Sequence, residues 1–383
     1  MALHFDQAEF DSRRDRLIIE MAERKLDAML LFAQESMYWL TGYDTFGFCF
    51  FQCLVVKADG SMVLLTRSAD LRQARHTSNI ENIVLWTDRQ DANPAVELRN
   101  LMNDLDLLGA RIGVEYDTHG LTGRSTRLLD EQLQTFGKIE DASDLVGRLR
   151  LFKSEAEIKK AKRAAKLGDE ALEAALPLIK QGGDEAAILA AMQGAVLAGG
   201  GDYPANNFII GSGEDALLCR YKSGRRKLNK NDQITLEWAG VYNHYHAAMM
   251  QTVLTGKVSK RHQELFEAAR DALTAVQKAM TPGNTFGDVF DAHARVMETH
   301  GLTKHRLNAC GYSVGARFAP SWMDPQMFYA GNEEPIAPCM TLFAHMIIMD
   351  SETGNAMCLG RTYLTTEDDP QPLSRYGLDL ITR

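Results

Sequence analysis

The 383-residue sequence lacks several features that mark particular classes of protein. It has no apolar run of the roughly 20 residues that a membrane-spanning helix needs. Its first residues, MALHFDQAEFDSRRDR, are polar and charged, unlike the apolar region of a signal peptide. No fixed-period repeat or low-complexity tract is present. We therefore expect a cytoplasmic protein without a membrane partner.

Cysteine is scarce, and basic residues are fewer than acidic ones. The six cysteines follow neither CxxC nor zinc-ribbon spacing, so in a reducing compartment we expect free thiols. The net charge is −9, whereas a nucleic-acid partner requires a basic face. We expect no nucleic-acid partner, and the charge is compatible with a small cationic or zwitterionic substrate.

The chain is too long for one ordinary core, so two domains are expected. Residues 1–150 contain short apolar runs that alternate with amphipathic helices, which predicts an α/β domain. Ser154 and Glu157 form a capping-box pattern, so a long helix should begin there. Residues 151–383 contain helices and longer strands in separate groups. The predicted class is α+β.

Several segments in order resemble the family of methionine aminopeptidase, prolidase, aminopeptidase P and creatinase. They are Lys153-Ser154-x-x-Glu157, the glycine-rich break at 199–201, the strand pair at 233–254, and the segments 309–315 and 338–366. The resemblance implies a C-terminal pita-bread fold, a curved antiparallel sheet flanked by helices, over residues 151–383. Residues 1–150 would be an N-terminal creatinase-like domain.

The metallopeptidases of this family bind two divalent cations. The resemblance implies two aspartates eleven residues apart, a histidine in a GHGxG-like turn and two late glutamates as ligands, because two ions that share carboxylates require such a set. The matching residues here are Glu237, Ala248, Tyr312, His345 and Gly360, or Arg361 if the alignment shifts by one. Nearly all of the family's ligands are thus replaced, and arginine cannot ligate a cation. We therefore expect no metal centre and no other cofactor.

Loss of the metals leaves either a changed enzyme or a catalytically dead binding module. A site drifting under packing pressure more often becomes apolar. Here the former ligand positions and their neighbours are polar or ionisable, which favours an enzyme; these residues are Glu237, Tyr245, His246, Tyr312, His345 and Arg361. The pseudopeptidase that acts as a binding module remains an alternative.

The sequence is more similar to ectoine hydrolases than to creatinase, whose acid–base positions are occupied here by Arg220, Met250 and His345. The similarity lies in LEWAGVYNHYH at 236–246 and in GYSVG at 311–315 followed by Pro320-Ser321-Trp322. It implies metal-independent hydrolysis of a C–N bond in a small cyclic amidine, amide or guanidino compound. A creatinase-like or Xaa-Pro dipeptidase-like hydrolase is the alternative.

Such hydrolysis needs a base or nucleophile at the carbon and a proton donor at the leaving nitrogen. Glu237 resembles the glutamate of ectoine hydrolases and is the candidate for the first role, unless it is a structural carboxylate. Tyr312 and His246 are candidates for donating the proton or holding the substrate. His345 is expected to titrate near neutrality and to exchange protons at physiological pH. The strand period of two places His244 on the same face as His246.

The remaining candidates concern substrate binding and assembly. Arg220 or Arg361 can hold a substrate carboxylate by a bidentate pair, and Tyr245 and Trp322 are further substrate-binding candidates. A basic cluster is predicted to be a solvated hairpin face: Lys222, Arg225, Arg226 and Lys227.

An aromatic cluster stands out in the N-terminal domain: Phe46, Phe48, Phe50 and Phe51. It is expected either to pack in a half-buried strand or, as the resemblance implies, to form a substrate lid over the neighbouring subunit's site. The second reading makes Phe46 and Phe48 substrate-binding residues and requires a homodimer.

Overall fold

The computed structural model describes residues 3–220 and 224–383. The chain forms two compact units, Met1–Arg150 and Leu151–Arg383. Lys222, which we expected in a solvated hairpin, lies outside the described residues. Arg225 and Lys227 are exposed, whereas Arg226 pairs with the buried carboxylate of Asp232 at 2.6 Å. Within the described ranges, no helix is both long enough and apolar enough to cross a membrane.

The first unit contains a six-stranded sheet in the order β4-β3-β2-β1-β5-β6. Strands β1, β2 and β3 pair antiparallel, whereas β4, β5 and β6 join by parallel pairing. The strands are β1 Ala28–Leu31, β2 Cys53–Lys57, β3 Met62–Arg67, β4 Asn82–Trp86, β5 Arg111–Val114 and β6 Lys138–Asp141. The helices are α1 Gln7–Glu23, α2 Gln34–Thr41, α3 Leu71–Thr77, α4 Pro94–Asp104, α5 Gly123–Leu133 and α6 Ser143–Leu151. The predicted α/β character is confirmed.

Helix α2 begins without a cap from its own segment, and a carboxylate distant in sequence binds its first turn. Glu115 accepts hydrogen bonds from the backbone N–H groups of Phe32 at 3.0 Å and Ala33 at 2.8 Å. The Ser36 hydroxyl donates to the same carboxylate at 2.6 Å. These bonds satisfy donors that a helix N-terminus leaves unpaired. Burial raises the pKa of Glu115 to about 7.

The second unit is built on a sheet whose main path runs β10-β11-β12-β9-β8-β7, with β13 paired to β12 and β14 to β9. All pairs on the main path are antiparallel. The strands are β7 Ile209–Ser212, β8 Asp232–Tyr242, β9 Tyr245–Thr255, β10 Gly311–Ser313, β11 Thr341–Asp350, β12 Asn355–Leu364, β13 Gln371–Pro372 and β14 Ile381–Thr382. The helices are α7 Glu155–Ala175, α8 Glu185–Ala198, α9 Lys260–Ala279 and α10 Phe286–Thr299.

Helix α7 packs on one face of this sheet, which we call the outer face. The predicted capping box of Ser154 and Glu157 starts α7. The Trp238 indole N–H of β8 donates to the Gly168 carbonyl of α7 at 2.8 Å. A Cβ added at Gly240 would lie 1.8 Å from the Ala164 carbonyl oxygen, so glycine permits the close approach of helix and strand. Residues that alternate with Trp238 and Gly240 point to the opposite, inner face.

A two-residue turn joins β8 to β9 and fixes their register. Asn243 and His244 both have positive φ, at 48° and 64°, as a type I′ hairpin turn requires. Lys160 of α7 donates to the Asn243 side chain at 2.7 Å. His244 therefore lies in the turn, stacked on Phe318 with ring centroids 4.2 Å apart. The expectation that His244 shares a strand face with His246 is wrong, because the turn takes both central residues out of the strand alternation.

Candidate active site

One row of directly opposed residues crosses four strands on the inner face. Glu237 of β8 lies opposite Met250 of β9, Met250 opposite Gly360 of β12, and Gly360 opposite His345 of β11. Directly opposed residues in a sheet point to the same face. The row therefore has the ionisable side chains of Glu237 and His345 at its two ends. Between them lie Met250 and Gly360, neither of which is ionisable.

Tyr312 reaches this row from β10, and its hydroxyl lies near enough to the Glu237 carboxylate to lower the pKa of that group. Four strand steps separate β10 from β8, which is roughly 19 Å in a flat sheet at about 4.8 Å per step. Two side chains meet over that path only because the sheet curves around its inner face. The buried Trp322 indole N–H donates to the Tyr312 hydroxyl oxygen at 2.9 Å. Since an indole N–H cannot accept, this bond leaves the Tyr312 proton free to point at Glu237.

The surroundings of Glu237 favour its protonated form. Burial raises the pKa of Glu237 to about 7, although the positive charge of Arg220 and the Tyr312 hydrogen bond both act to lower it. Arg220 is itself exposed, yet its charge also lowers the pKa of Tyr312 and of His345. Arg220 is thus an exposed positive charge at the rim of the site. Burial raises the pKa of Tyr312 well above its usual range, so its hydroxyl stays protonated.

His345 is buried, with its ring 5.6 Å from that of Tyr312 and 5.4 Å from that of Phe343, centroid to centroid. Burial lowers its pKa to about 4, and the charge of Arg220 adds to this effect. The expectation that His345 titrates near neutrality is corrected accordingly: its imidazole is neutral at physiological pH. Its Nδ1 atom is buried and makes no hydrogen bond within residues 3–220 and 224–383.

Backbone groups hold both ring nitrogens of His246. This residue lies on the inner face, but its Nε2 accepts from the Ala205 N–H at 3.0 Å and its Nδ1 lies 3.4 Å from the Gly315 carbonyl oxygen. Burial lowers the pKa of His246 to about 3. A protonated form that could act as an acid is therefore disfavoured, and the expected role of His246 as proton donor is corrected to a structural one.

Tyr245 and Arg361 point to the outer face. The Tyr245 hydroxyl donates to Glu157 of α7 at 2.7 Å. Arg361 donates to the Tyr363 hydroxyl at 3.0 Å and to the Tyr376 carbonyl at 3.0 Å. The expected roles of Tyr245 and Arg361 in substrate binding are therefore corrected to structural ones. Both lie one residue away from an inner-face position, and a step of one residue reverses the direction of a strand side chain.

The aromatic cluster belongs to the first unit and is not a strand. Gly47–Cys49 forms a 3₁₀ turn, and β2 begins only at Cys53. Phe48 and Phe51 are buried, whereas Phe46 is 76% exposed and Phe50 is 47% exposed. The half-buried strand is therefore wrong, and burial removes Phe48 from the expected lid. An exposed pair, Phe46 and Phe50, remains.

The residues at the implied ligand positions do not fit a dinuclear metal centre. Ala248 and Gly360 carry no ligand atom, and the Tyr312 oxygen already accepts from the Trp322 indole N–H. Only Glu237 and His345 are left of the five positions, at opposite ends of the row, and two side chains are too few for two ions.

Among residues 3–220 and 224–383, one other group of possible ligand atoms lies away from this row. Ligand atoms of His305, Asp350 and Glu352 lie within 4.8 Å of one another. Arg261 donates to Asp350 at 2.8 Å, and Lys304 donates to Glu352 at 2.5 Å. These cations already neutralise the two carboxylates.

The inner face also carries residues that the sequence motifs did not single out. Cys358 and Phe343 lie two residues before Gly360 and His345, so the strand period of two could have identified them. Burial raises the pKa of the Cys358 thiol to about 12, with the charge of Glu237 acting in the same direction. A cavity of about 670 Å³ lies at the start of β8, where its lining includes Gln233 and Leu254 but not Glu237.

Comparison with known proteins agrees with this architecture. Residues 13–152 match the creatinase/prolidase N-terminal domain, and residues 159–367 match metallopeptidase family M24. Ectoine hydrolase of Halomonas elongata is 26% identical over 358 residues, which cover 89% of each chain. An uncharacterized hydrolase/peptidase of Sinorhizobium fredii is 28% identical over 331 residues, covering 84% of each.

Solved structures share the fold over nearly the whole chain. A dipeptidase from Pyrococcus horikoshii has a TM-score of 0.84 at 20% identity, covering 97% of this chain and 100% of its own. A prolidase from Thermococcus sibiricus has a TM-score of 0.86 at 18% identity, covering 98% and 99%. The M24 match alone spans more than half of the residues. The chain belongs to metallopeptidase family M24, a family of hydrolases, with a pita-bread second unit after a creatinase-type N-terminal domain.

Proposed function

We propose that this chain is a metal-independent hydrolase that cleaves a C–N bond in a small cyclic amidine, amide or guanidino compound. Ectoine hydrolase, by its name a hydrolase of ectoine, is similar over 89% of the chain. The observation that carries the proposal is the Glu237 carboxylate on the inner face, near the Tyr312 hydroxyl, which acts to lower its pKa. On the same face, the former ligand positions Ala248 and Gly360 have no side chain that can bind a metal.

The chemistry can begin with Glu237 as a base. The carboxylate takes a proton from water while the water oxygen bonds to the amidinium carbon. The tetrahedral intermediate then breaks its C–N bond, and Glu237 returns the proton to the leaving nitrogen. Tyr312 holds the carboxylate in position during both proton transfers.

The alternative route uses Glu237 as a nucleophile. The carboxylate oxygen bonds to the amidinium carbon, the C–N bond breaks, and the leaving nitrogen takes a proton from solvent. Water then attacks the covalent intermediate and releases the Glu237 carboxylate. Both routes require the ionised form of Glu237.

The charges at the site favour a zwitterionic substrate. A cationic amidinium near Glu237 stabilises the ionised carboxylate, which burial otherwise disfavours. Arg220 at the rim offers a guanidinium to a substrate carboxylate. Trp322 is a positioning residue rather than a substrate contact, because its N–H fixes the direction of the Tyr312 hydroxyl. Three residues take no part in this proposal: His246, Tyr245 and Arg361.

The direct test is Glu237→Gln, which keeps the size of the side chain but removes its charge. Turnover of ectoine should fall at least about a hundredfold, the scale expected for losing a general base, with the melting temperature retained. Glu157→Gln is the matched control, because Glu157 is a buried carboxylate that accepts a hydrogen bond from a tyrosine, Tyr245, but lies on α7. Its turnover should stay near that of the wild type. Unchanged turnover in Glu237→Gln would show that Glu237 is structural.

Metal content separates the proposal from a Xaa-Pro dipeptidase. The wild type should bind no stoichiometric transition metal and should keep its activity in chelator. About two metals per chain, with activity lost to chelator and restored by manganese or zinc, would support the dipeptidase. If the wild type hydrolysed neither ectoine, creatine nor dipeptides but bound a macromolecule through this face, the binding module would replace the enzyme.

A further inference from the structure

We propose that His345 and Gly360 form a specificity subsite, which binds an uncharged hydrogen-bonding group such as a hydroxyl at the end of the substrate farther from Glu237. This inference rests on the proposed function, since it names a further part of the same site. It concerns a hydrogen-bonding group on the substrate that the subsite prefers, whereas the proposed reaction takes place at Glu237, the other end of the row.

The position of His345 directs it into the site. It ends the inner-face row that starts at Glu237, with only Met250 and Gly360 between them. Three strand steps separate the two ends, so their Cα atoms are at most roughly 14 Å apart, and less in a curved sheet. A small ring that contacts Glu237 therefore has its far side near His345.

Gly360 makes room for the imidazole. A Cβ at this position would lie 3.0 Å from both the Cα and the Cβ of His345, and 2.8 Å from the Ala344 carbonyl oxygen. A real Cβ essentially never makes a contact as short as the last of these. Because Gly360 has no side chain, the space next to His345 on the inner face stays unfilled, and His345 keeps its position beside Tyr312.

The imidazole has an unused hydrogen-bonding atom. Nδ1 of His345 is buried and has no partner in the part of the chain that the structure describes, although buried polar atoms are nearly always paired. The aromatic rings that it contacts are those of Tyr312 and Phe343. A hydroxyl on the substrate can donate or accept, so it satisfies either tautomer of a neutral imidazole.

The test compares two probes, ectoine and ectoine carrying one ring hydroxyl, on four proteins. They are the wild type and three variants. His345→Phe removes Nδ1 but keeps an aromatic ring against Tyr312 and Phe343, and His345→Gln keeps a polar atom. His293→Phe is the matched control, because His293 on α10 is similarly buried and its Nδ1 is also unpaired within the described residues. Dissociation constants come from titration calorimetry, and kcat/KM is measured in parallel.

The wild type and His293→Phe should bind the hydroxylated probe about five- to tenfold more tightly than ectoine, the scale of one net hydrogen bond. His345→Phe should bind the two probes with about equal affinity, and His345→Gln should restore part of the preference. If the wild type and His345→Phe prefer the hydroxylated probe to the same extent, the subsite is overturned, even if both proteins hydrolyse the probes. If the wild type prefers the hydroxylated probe, His345→Phe does not, and neither protein hydrolyses the probes, the proposed function is refuted but the subsite is supported. Failure of the wild type to bind either probe overturns both.

Discussion

The raised pKa of Glu237 predicts how activity depends on pH. Either route of hydrolysis needs the ionised carboxylate, so activity is lost as pH falls through the pKa of Glu237 in the folded protein. That pKa is about 7, well above the usual value of 4.5. The acid limb of kcat/KM, which reports the free enzyme, should therefore have its midpoint near pH 7 rather than near 4.5.

Removing the Tyr312 hydroxyl should move this limb upward. The Tyr312 hydrogen bond lowers the pKa of Glu237 by stabilising its ionised form. A hydrogen bond to a charged group contributes about 1.5 to 3 kcal/mol, and one pH unit corresponds to about 1.4 kcal/mol. Tyr312→Phe should thus shift the midpoint upward by up to about one pH unit. Trp322→Phe should shift it in the same direction by less, because the Tyr312 hydroxyl remains but can rotate.

The assay is kcat/KM of the purified enzyme between about pH 5 and pH 9, where a single ionisation gives a limb of unit slope. Tyr363→Phe is the matched control, since it removes a buried phenol hydroxyl that binds Arg361 on the outer face. Its limb should coincide with that of the wild type. A wild-type midpoint near 4.5, or a midpoint that Tyr312→Phe leaves in place, would refute the assignment of Glu237 and its partner.

Two further predictions concern the first unit. Glu115→Ala should lower the free energy of unfolding by about 3 kcal/mol in urea titrations, since it leaves three buried or helix-terminal donors without their acceptor. The control is Glu140→Ala, which removes only a surface pair with Arg111. It should lower the free energy of unfolding by less than about 1 kcal/mol. We also propose a homodimer in which the exposed Phe46 and Phe50 contact the partner, so light scattering should give a dimer that Phe46→Ser weakens. A fully active monomer would contradict a shared site.

Most of the fold follows from local sequence patterns. The apolar runs at 28–31, 53–57 and 111–114 are strands, and the Ser154–Glu157 pattern begins a helix as predicted. Helix α2 was not predicted because every residue in it except Glu35 is buried, so it has no amphipathic period to detect. The segment at 46–51 shows the opposite case, because a turn that composition does not reveal overrides its strand-forming residues.

The site was only partly predictable, because motif positions give neighbours in sequence but not the face of a strand. Glu237, Tyr312 and His345 were identified from ligand positions, and the pairing register brings them to one face. Tyr245 and Arg361 were identified from adjacent positions and point the other way. The pKa values depend on burial and on charges distant in sequence, which no local pattern contains.

Under the proposed function, the same row accounts for how a metal site becomes a metal-free one without loss of the fold. Ala248 and Gly360 carry no ligand atom at two of the implied ligand positions, so a cation there would lack most of its ligands. Burial then raises the pKa of Glu237 to about 7, so that near this pH its ionised form needs a positive partner. The cationic substrate that we propose would supply that charge when it binds. Binding and ionisation of Glu237 are therefore linked, and a neutral analogue of the substrate gains nothing from the ionised carboxylate.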